Sequence, residues 1–230
     1  MSLVNLLRPI GKLVSYVDYK VDRLRLARLM QRGMRVGRNV YIQKNVDFDP
    51  VYPFLIEIGD NSRISREVRV SAHDATIFRD LGVTRIAPVR ILEGSFIGAR
   101  ATILPGVTIG PRAVIAAGAL VNRDMGEGVM AAGNPARPYA KYADLLEKYA
   151  EAVRSSPVFA KDDMERGATS PDDVLRAFAH HPVAFVRGTP KRDPFYVNAD
   201  FEQMGTSAMR AYEATVSRHL SGIGTQDERG

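Results

Sequence analysis

From Ile91 onward an aliphatic residue returns at every sixth position: Ile91, Ile97, Ile103, Ile109, Ile115 and Val121. Four residues after each of the first five stands a small or β-branched one: Ser95, Ala101, Val107, Ala113 and Ala119. The same frame holds upstream at Val36, Ile42 and Phe48, followed by Val40 and Val46, and at Ile58, Ile64 and Val70, followed by Ser62 and Val68. A six-residue period matches neither the helical repeat nor simple strand alternation, because polar turn residues interrupt each short apolar run. It predicts a mainly β solenoid. Three hexads make one triangular coil of ~18 residues, each hexad giving one flat face with its aliphatic residue inward. Gly, Asn and Asp help to turn the corners. Gly59, Gly98 and Gly110 each directly follow an inward residue, where a positive φ or a close backbone approach would suit a corner.

Two irregularities interrupt the frame. Phe48 to Ile58 spans ten residues, four more than a hexad, and Val70 to Ile91 spans 21, three more than a full coil. The segment Ala72 to Pro88 is therefore expected to leave the coil as a loop. Loops extruded from a rigid scaffold are where binding and catalytic groups usually lie.

The flanks read differently. Residues 3–32 predict a basic amphipathic helix, with Leu6, Ile10, Leu13, Val17, Val21 and Leu24 near one face and Arg8, Lys12, Lys20, Arg23, Arg25 and Arg28 elsewhere. Such a helix could cover the open first coil or make peripheral contact with an anionic membrane. After Pro138 a helix over Tyr139–Val153 carries Tyr142, Leu145, Leu146 and Tyr149 at helical spacing and is expected to fold back on the coil. Ser170-Pro171-Asp172-Asp173 is a helix start, and Thr206–Leu220 a further helix. The last eight or so residues read as disordered. This divides the chain into an N-terminal helical cap (1–35), a coil (36–138) with an extruded loop (72–88), and a C-terminal helical extension with a disordered tail (139–230).

Composition narrows the chemistry. The chain has no cysteine, which excludes disulfides, thiolate metal sites and cysteine nucleophiles together. Of its four histidines, His73, His180, His181 and His219, one lies within the repeat region. A zinc lyase needs three imidazoles converging on one metal, so no metal is expected. The net charge of +6 favours anionic partners such as the phosphates of a cofactor, a nucleotide-sugar or a membrane surface. Its basic residues are scattered without a recognition motif, so nucleic-acid binding is not expected. No stretch approaches the ~20 apolar residues of a membrane span, and no cleavable leader is recognisable. A cytoplasmic location is expected, with room for contact at the inner face of the membrane.

The segment ILEGSFIGARATILPGVTIGPRAVIAAGALVNRDMGEGVMAAGNPAR (91–137) resembles the maltose and galactoside acetyltransferase branch of the hexapeptide-repeat acyltransferases. The stretch SAHDATIFRDLGVTRIAP (71–88) resembles the sugar and polysaccharide acetyltransferases within that branch. The match covers about residues 36–138 and is most specific at Gly133-Asn134-Pro135-Ala136-Arg137 and at Ala72-His73-Asp74. In residues 155–230 no family motif is recognised.

The resemblance implies a left-handed parallel β-helix and a homotrimer with active sites between subunits. It also implies transfer of acetyl from acetyl-CoA to a hydroxyl or amine of a saccharide or nucleotide-sugar. The family's general base is a histidine on the extruded loop, which is His73 in this chain. An imidazole titrates near neutrality and can take a proton from an attacking hydroxyl. The thioester is already activated, so the protein has to align two substrates and supply a base and an oxyanion donor.

On the acceptor side, Asp49 aligns with an asparagine of the galactoside branch. Asp47 and Asp74 are further candidates, and a turn role before Pro50 competes for Asp49. Asp74 could instead orient the imidazole, as could a backbone carbonyl. For the cofactor the matching positions are Ala99 and Ala117 beside the pantetheine arm, Asn122 and Arg123 near the adenine end, and Arg137 for a phosphate. Asn122 stands where threonine is more usual, and simple corner packing competes for the two alanines. O-acetylation of a sugar or glycan precursor is the leading reading. N-acetylation of a nucleotide-linked amino sugar and a non-catalytic solenoid that serves as a binding module are the alternatives.

Overall fold

The computed structural model describes residue 17 and residues 20–187 and 196–197. Its hexads form rungs of a three-sided prism. The first rung holds β1 (Arg35–Val36), β2 (Val40–Ile42) and β3 (Asp47–Phe48), and the second β4 (Ile56–Ile58), β5 (Arg63–Ile64) and β6 (Arg69–Val70). An antiparallel hairpin of β7 (His73–Asp74) and β8 (Arg85–Ile86) then leaves the prism. The third rung follows as β9 (Val89–Ile91), β10 (Phe96–Ile97) and β11 (Thr102–Ile103), and the fourth as β12 (Thr108–Ile109), β13 (Val114–Ile115) and β14 (Leu120–Val121). One strand of each rung joins each face, in parallel.

The strand register stacks the aliphatic frame. Val36, Ile58, Ile91 and Ile109 form one column. Ile42, Ile64, Ile97 and Ile115 form the second, and Phe48, Val70, Ile103 and Val121 the third. All but the partly buried Val36 are buried. Each buried aliphatic side chain contributes about 1.5–3 kcal/mol relative to exposure, so the short strands are held by their column rather than by local propensity. The second inward positions include Ser62 and Ser95, both buried, whose hydroxyls donate to Leu92 O at 3.0 and 2.7 Å. The core thus accepts two hydroxyls because backbone carbonyls meet them.

Gly59, Gly98 and Gly110 do not have positive φ; the corner requirement at these positions is space. A Cβ on Gly98 would lie 2.5 Å from the backbone nitrogen of Ala117 in the next rung. The left-handed corner positions fall instead to residues such as Asn39, Asn61 and Arg100, and Asn tolerates that region best. Gly98→Ala should therefore destabilise the fold by about 3 kcal/mol, read from the midpoint of chemical denaturation.

The helix α1 (20–31) lies over the first rung, burying Leu26 and Ala27 against the core. Arg23 is buried as well, and its Nη2 donates to Ile42 O at 2.6 Å. The expected apolar face is thereby corrected. Val17 and Val21 are exposed, and the covered stripe is Arg23, Leu26, Ala27 and Met30. A rung end offers backbone carbonyls as well as apolar side chains, so the helix presents a donor there. Leu6, Ile10 and Leu13 lie outside the described residues.

Past the fourth rung, β15 (Val129–Gly133) joins β13 and turns back antiparallel as β16 (Ala136–Lys141). The C-terminal helix starts later than expected, at α3 (Tyr142–Ser155), because Tyr139 belongs to β16. It does not fold back on the coil. None of its residues is buried, and Tyr149 meets Phe185 edge-on at 6.2 Å. Phe185 belongs to a small unit the periodicity did not indicate, in which β17 (Val158–Ala160) pairs with β18 (Phe185–Arg187). Two short helices lie between these strands, α4 (Lys161–Glu165) and α5 (Pro171–Ala177); α5 begins as expected at Ser170, where Ser170 and Asp173 cap each other reciprocally. The segment Thr206–Leu220 and the C-terminal tail lie outside the described residues. Among the described residues, no helix is long and apolar enough to cross a membrane.

Candidate active site

The two frame breaks begin on the same edge of the prism, one rung apart, because Phe48 and Val70 are register partners. In the first break the chain turns through a short 3-10 helix at Pro53–Leu55, and in the second it departs as the β7–β8 hairpin, with α2 (Phe78–Leu81) at its tip. Asp49 and His73 stand at the two departures. The Asp49 side chain has no exposed surface. Its Oδ1 accepts from the amides of Val51 (2.9 Å) and Tyr52 (3.1 Å), and its Oδ2 from the amide of Ala72 (2.9 Å) and from His73 Nδ1.

Burial acts to raise the Asp49 pKa, but the bonds from His73 and the three amides outweigh it, and the pKa lies below the ordinary carboxylate value. An ionised carboxylate can only accept, so Nδ1 carries a proton, and it is Nε2 that presents a lone pair in the neutral imidazole. The Tyr52 ring packs edge-on against the imidazole, centroid to centroid 5.5 Å, and the Ser71 hydroxyl donates to His73 O at 2.8 Å. His73 is held on three sides with its side chain 31% exposed. An imidazole held in this way could take a proton from a bound ligand.

Three acceptor-side expectations change. Asp49 is saturated by buried donors, so it holds the imidazole and has no free surface for an acceptor. Asp47 points outward and pairs with Arg69 at 2.9 Å across neighbouring strands, both side chains being largely exposed. Asp74 does not orient His73. Its Oδ1 accepts from the amide and hydroxyl of Thr76, and these bonds lower its pKa. The sequence did carry a signal for Asp49: it follows the last inward residue before the first break, as the hairpin follows the last before the second.

Ala99 and Ala117 stand one above the other at a different edge, in the third and fourth rungs, where Gly118 N donates to Ala99 O at 2.8 Å. Asn122 and Arg123 are exposed on the edge that carries His73, two rungs further along. Arg137 is exposed on β16 and donates to Ala136 O. Within one chain the structure therefore joins Asp49 to His73 and leaves the two alanines on a separate edge. His180 and His181 lie outside the coil, after α5. Among the described residues, no group of three or more His, Asp or Glu could hold a metal ion.

Residues 88–123, the third and fourth rungs, match the six-repeat bacterial transferase hexapeptide. That stretch of the coil thus carries the hexapeptide repeat of the family model. The coil folds as a left-handed parallel β-helix of hexapeptide repeats, with helices added at both ends. Among hexapeptide-repeat relatives, YvoF of Bacillus subtilis (strain 168), named provisionally as an acetyltransferase, is 38% identical over 115 residues, covering 50% of this chain and 64% of YvoF. The galactoside O-acetyltransferase of Escherichia coli (strain K12) is 34% identical over 120 residues, covering 51% of this chain and 58% of that protein. The chain thus spans less than two thirds of the length of either relative. A solved galactoside acetyltransferase in complex with coenzyme A is 28% identical, covering 52% of this chain and 70% of that one, with a TM-score of 0.44. A maltose O-acetyltransferase from Clostridium difficile 630 is 26% identical, covering 49% and 72%, with a TM-score of 0.42.

Proposed function

We propose that this chain is an acetyl-CoA-dependent acetyltransferase acting on a hydroxyl of a sugar or glycan precursor, with His73 as general base. The observation that carries this reading is the Asp49–His73 pair, which leaves Nε2 as an accessible proton acceptor on a hairpin extruded from a rigid prism. A sugar hydroxyl is a poor nucleophile until its proton is taken in the transition state, and His73 Nε2 is the group that takes it. Asp49 balances the charge the imidazole then gains. An amine attacks with its own lone pair and needs no such base, so the pairing favours O-transfer over N-transfer.

Acetyl-CoA would supply an activated acetyl thioester. The residues at the second edge suit its pantetheine arm. Ala99 and Ala117 leave backbone at the surface, and the space beside Gly118 is open. Arg123 and Arg137 would meet its phosphates, with Asn122 near its adenine end.

Because that edge is not the one carrying His73, a complete site needs a second copy of the chain. The hairpin supports this, exposing Ile77, Phe78, Leu81, Val83 and Ile86, an apolar surface that a neighbouring subunit of a homotrimer would cover.

Acetyl-CoA binding by calorimetry, followed by free-thiol release with panels of sugars and nucleotide-linked amino sugars, tests the reading. Saturable binding and thiol release with hydroxyl acceptors are expected. Absence of acetyl-CoA binding would reduce the chain to a non-catalytic binding module.

A further inference from the structure

An open cavity of about 560 Å³ lies between α1 and the first rung, lined by Arg25, Arg28 and Arg32 together with Val46, Phe48 and Pro50. Arg25 and Arg28 stand one turn apart on α1, and Arg32 directly follows its last residue. Arg32 is committed to the protein, its guanidinium donating to Pro50 O and, at 3.3 Å, to Val51 O. Among the described residues, Arg25 and Arg28 form no ion pair. Among the described residues the one acid in the wall is Asp47, which is engaged by Arg69. Two uncommitted guanidinium groups, with Arg32 adding its charge, against one paired carboxylate and over an apolar floor make a receptor for an anion.

Position decides which anion. Phe48 and Pro50 flank Asp49, so the cavity wall is the segment that holds His73. The arginines assigned to cofactor phosphates, Arg123 and Arg137, follow the fourth rung. Rungs repeat at ~4.8 Å, which puts three rungs, roughly 14 Å of axis, between the two basic sets.

We infer that Arg25 and Arg28 bind the phosphate or carboxylate of an acidic saccharide acceptor and so bring its hydroxyl to His73. The inference rests on the acetyltransferase reading above. A guanidinium pair recognises either oxyacid through charge-assisted, bidentate hydrogen bonds. The acceptor is thereby held at its charged end while the reacting hydroxyl stays free.

The test compares the full chain with the Arg25→Gln, Arg28→Gln double variant, in which glutamine keeps the helix propensity of these exposed positions. Inorganic pyrophosphate is titrated calorimetrically in saturating CoA. The variant should bind it about tenfold more weakly, and equal affinity would overturn the site. Thiol-release kinetics are then run with glucose, glucose 1-phosphate and glucuronate. An acidic acceptor should be preferred about tenfold in kcat/KM, a preference that collapses in the variant, and the two acidic arms tell phosphate from carboxylate. A variant that keeps the preference but raises KM for acetyl-CoA, or loses only its sedimentation with phosphatidylglycerol vesicles, overturns the acceptor assignment in favour of cofactor or lipid. If no acceptor releases thiol, the acetyltransferase reading itself fails. Weakened pyrophosphate binding would then retain an anion site and overturn its role toward an acceptor.

Discussion

His73→Ala should lower acetyl transfer to a hydroxyl acceptor by about 10³-fold, measured as free thiol released from acetyl-CoA at saturating acceptor. The loss should fall on kcat, because the imidazole acts on the proton in flight and contributes little to holding the cofactor. Thermal unfolding should barely change. The side chain is 31% exposed, and its removal leaves Asp49 with three backbone donors to satisfy it. A panel in which amine acceptors retain much of their rate while hydroxyl acceptors lose theirs would identify the base with O-transfer. Full retention with hydroxyl acceptors would remove His73 from the chemistry and return the hairpin to a purely structural role.

The second large effect is expected at Asp49. Replacing it by alanine leaves the amides of Val51, Tyr52 and Ala72 without their acceptor in a buried place, at a cost of about 4 kcal/mol of stability. Asp49→Asn is the more informative change, since it keeps volume and one carbonyl oxygen. It should cut kcat by about 100-fold through loss of imidazole orientation while leaving KM for acetyl-CoA in place, a split that general destabilisation would not produce.

The pH dependence follows from the lowered carboxyl. The folded pKa lies below the ordinary value of 3.8, so the stabilisation is fully present above that value and is lost as pH falls through the folded pKa. The stability difference between wild type and Asp49→Asn should thus be largest near neutrality and shrink only in strong acid.

The prism was legible because its signal is long-ranged and redundant. Ile91, Ile97, Ile103, Ile109 and Ile115 announce one another, and the register then leaves each no other place to point. Where the frame broke, the break was readable but its contents were not. That Asp49 reaches the imidazole depends on two excursions leaving one edge a rung apart, a pairing between residues 24 apart that spacing alone does not reveal. Proximity in sequence favoured Asp74, whose carboxylate is taken by Thr76 two residues on. The α1 face was misread for a related reason: amphipathic patterning counts apolar residues, whereas this helix inserts Arg23 against a carbonyl. The C-terminal unit was invisible because β17 and β18 pair across more than twenty residues with no repeat to mark them.

The ends of the prism carry a consequence for solubility. Every rung offers the next an identical parallel ladder, so stacking by itself sets no limit to length, and an uncovered terminal rung would recruit any like-directed strand. At one end α1 lies across the opening and β19 (Tyr196–Val197) pairs with β2 in the opposite direction; at the other, β16 reverses against β15. On the face that carries β2 and β13, neither end therefore offers a same-direction template, so stacking of copies along that face is opposed by chain polarity rather than by charge.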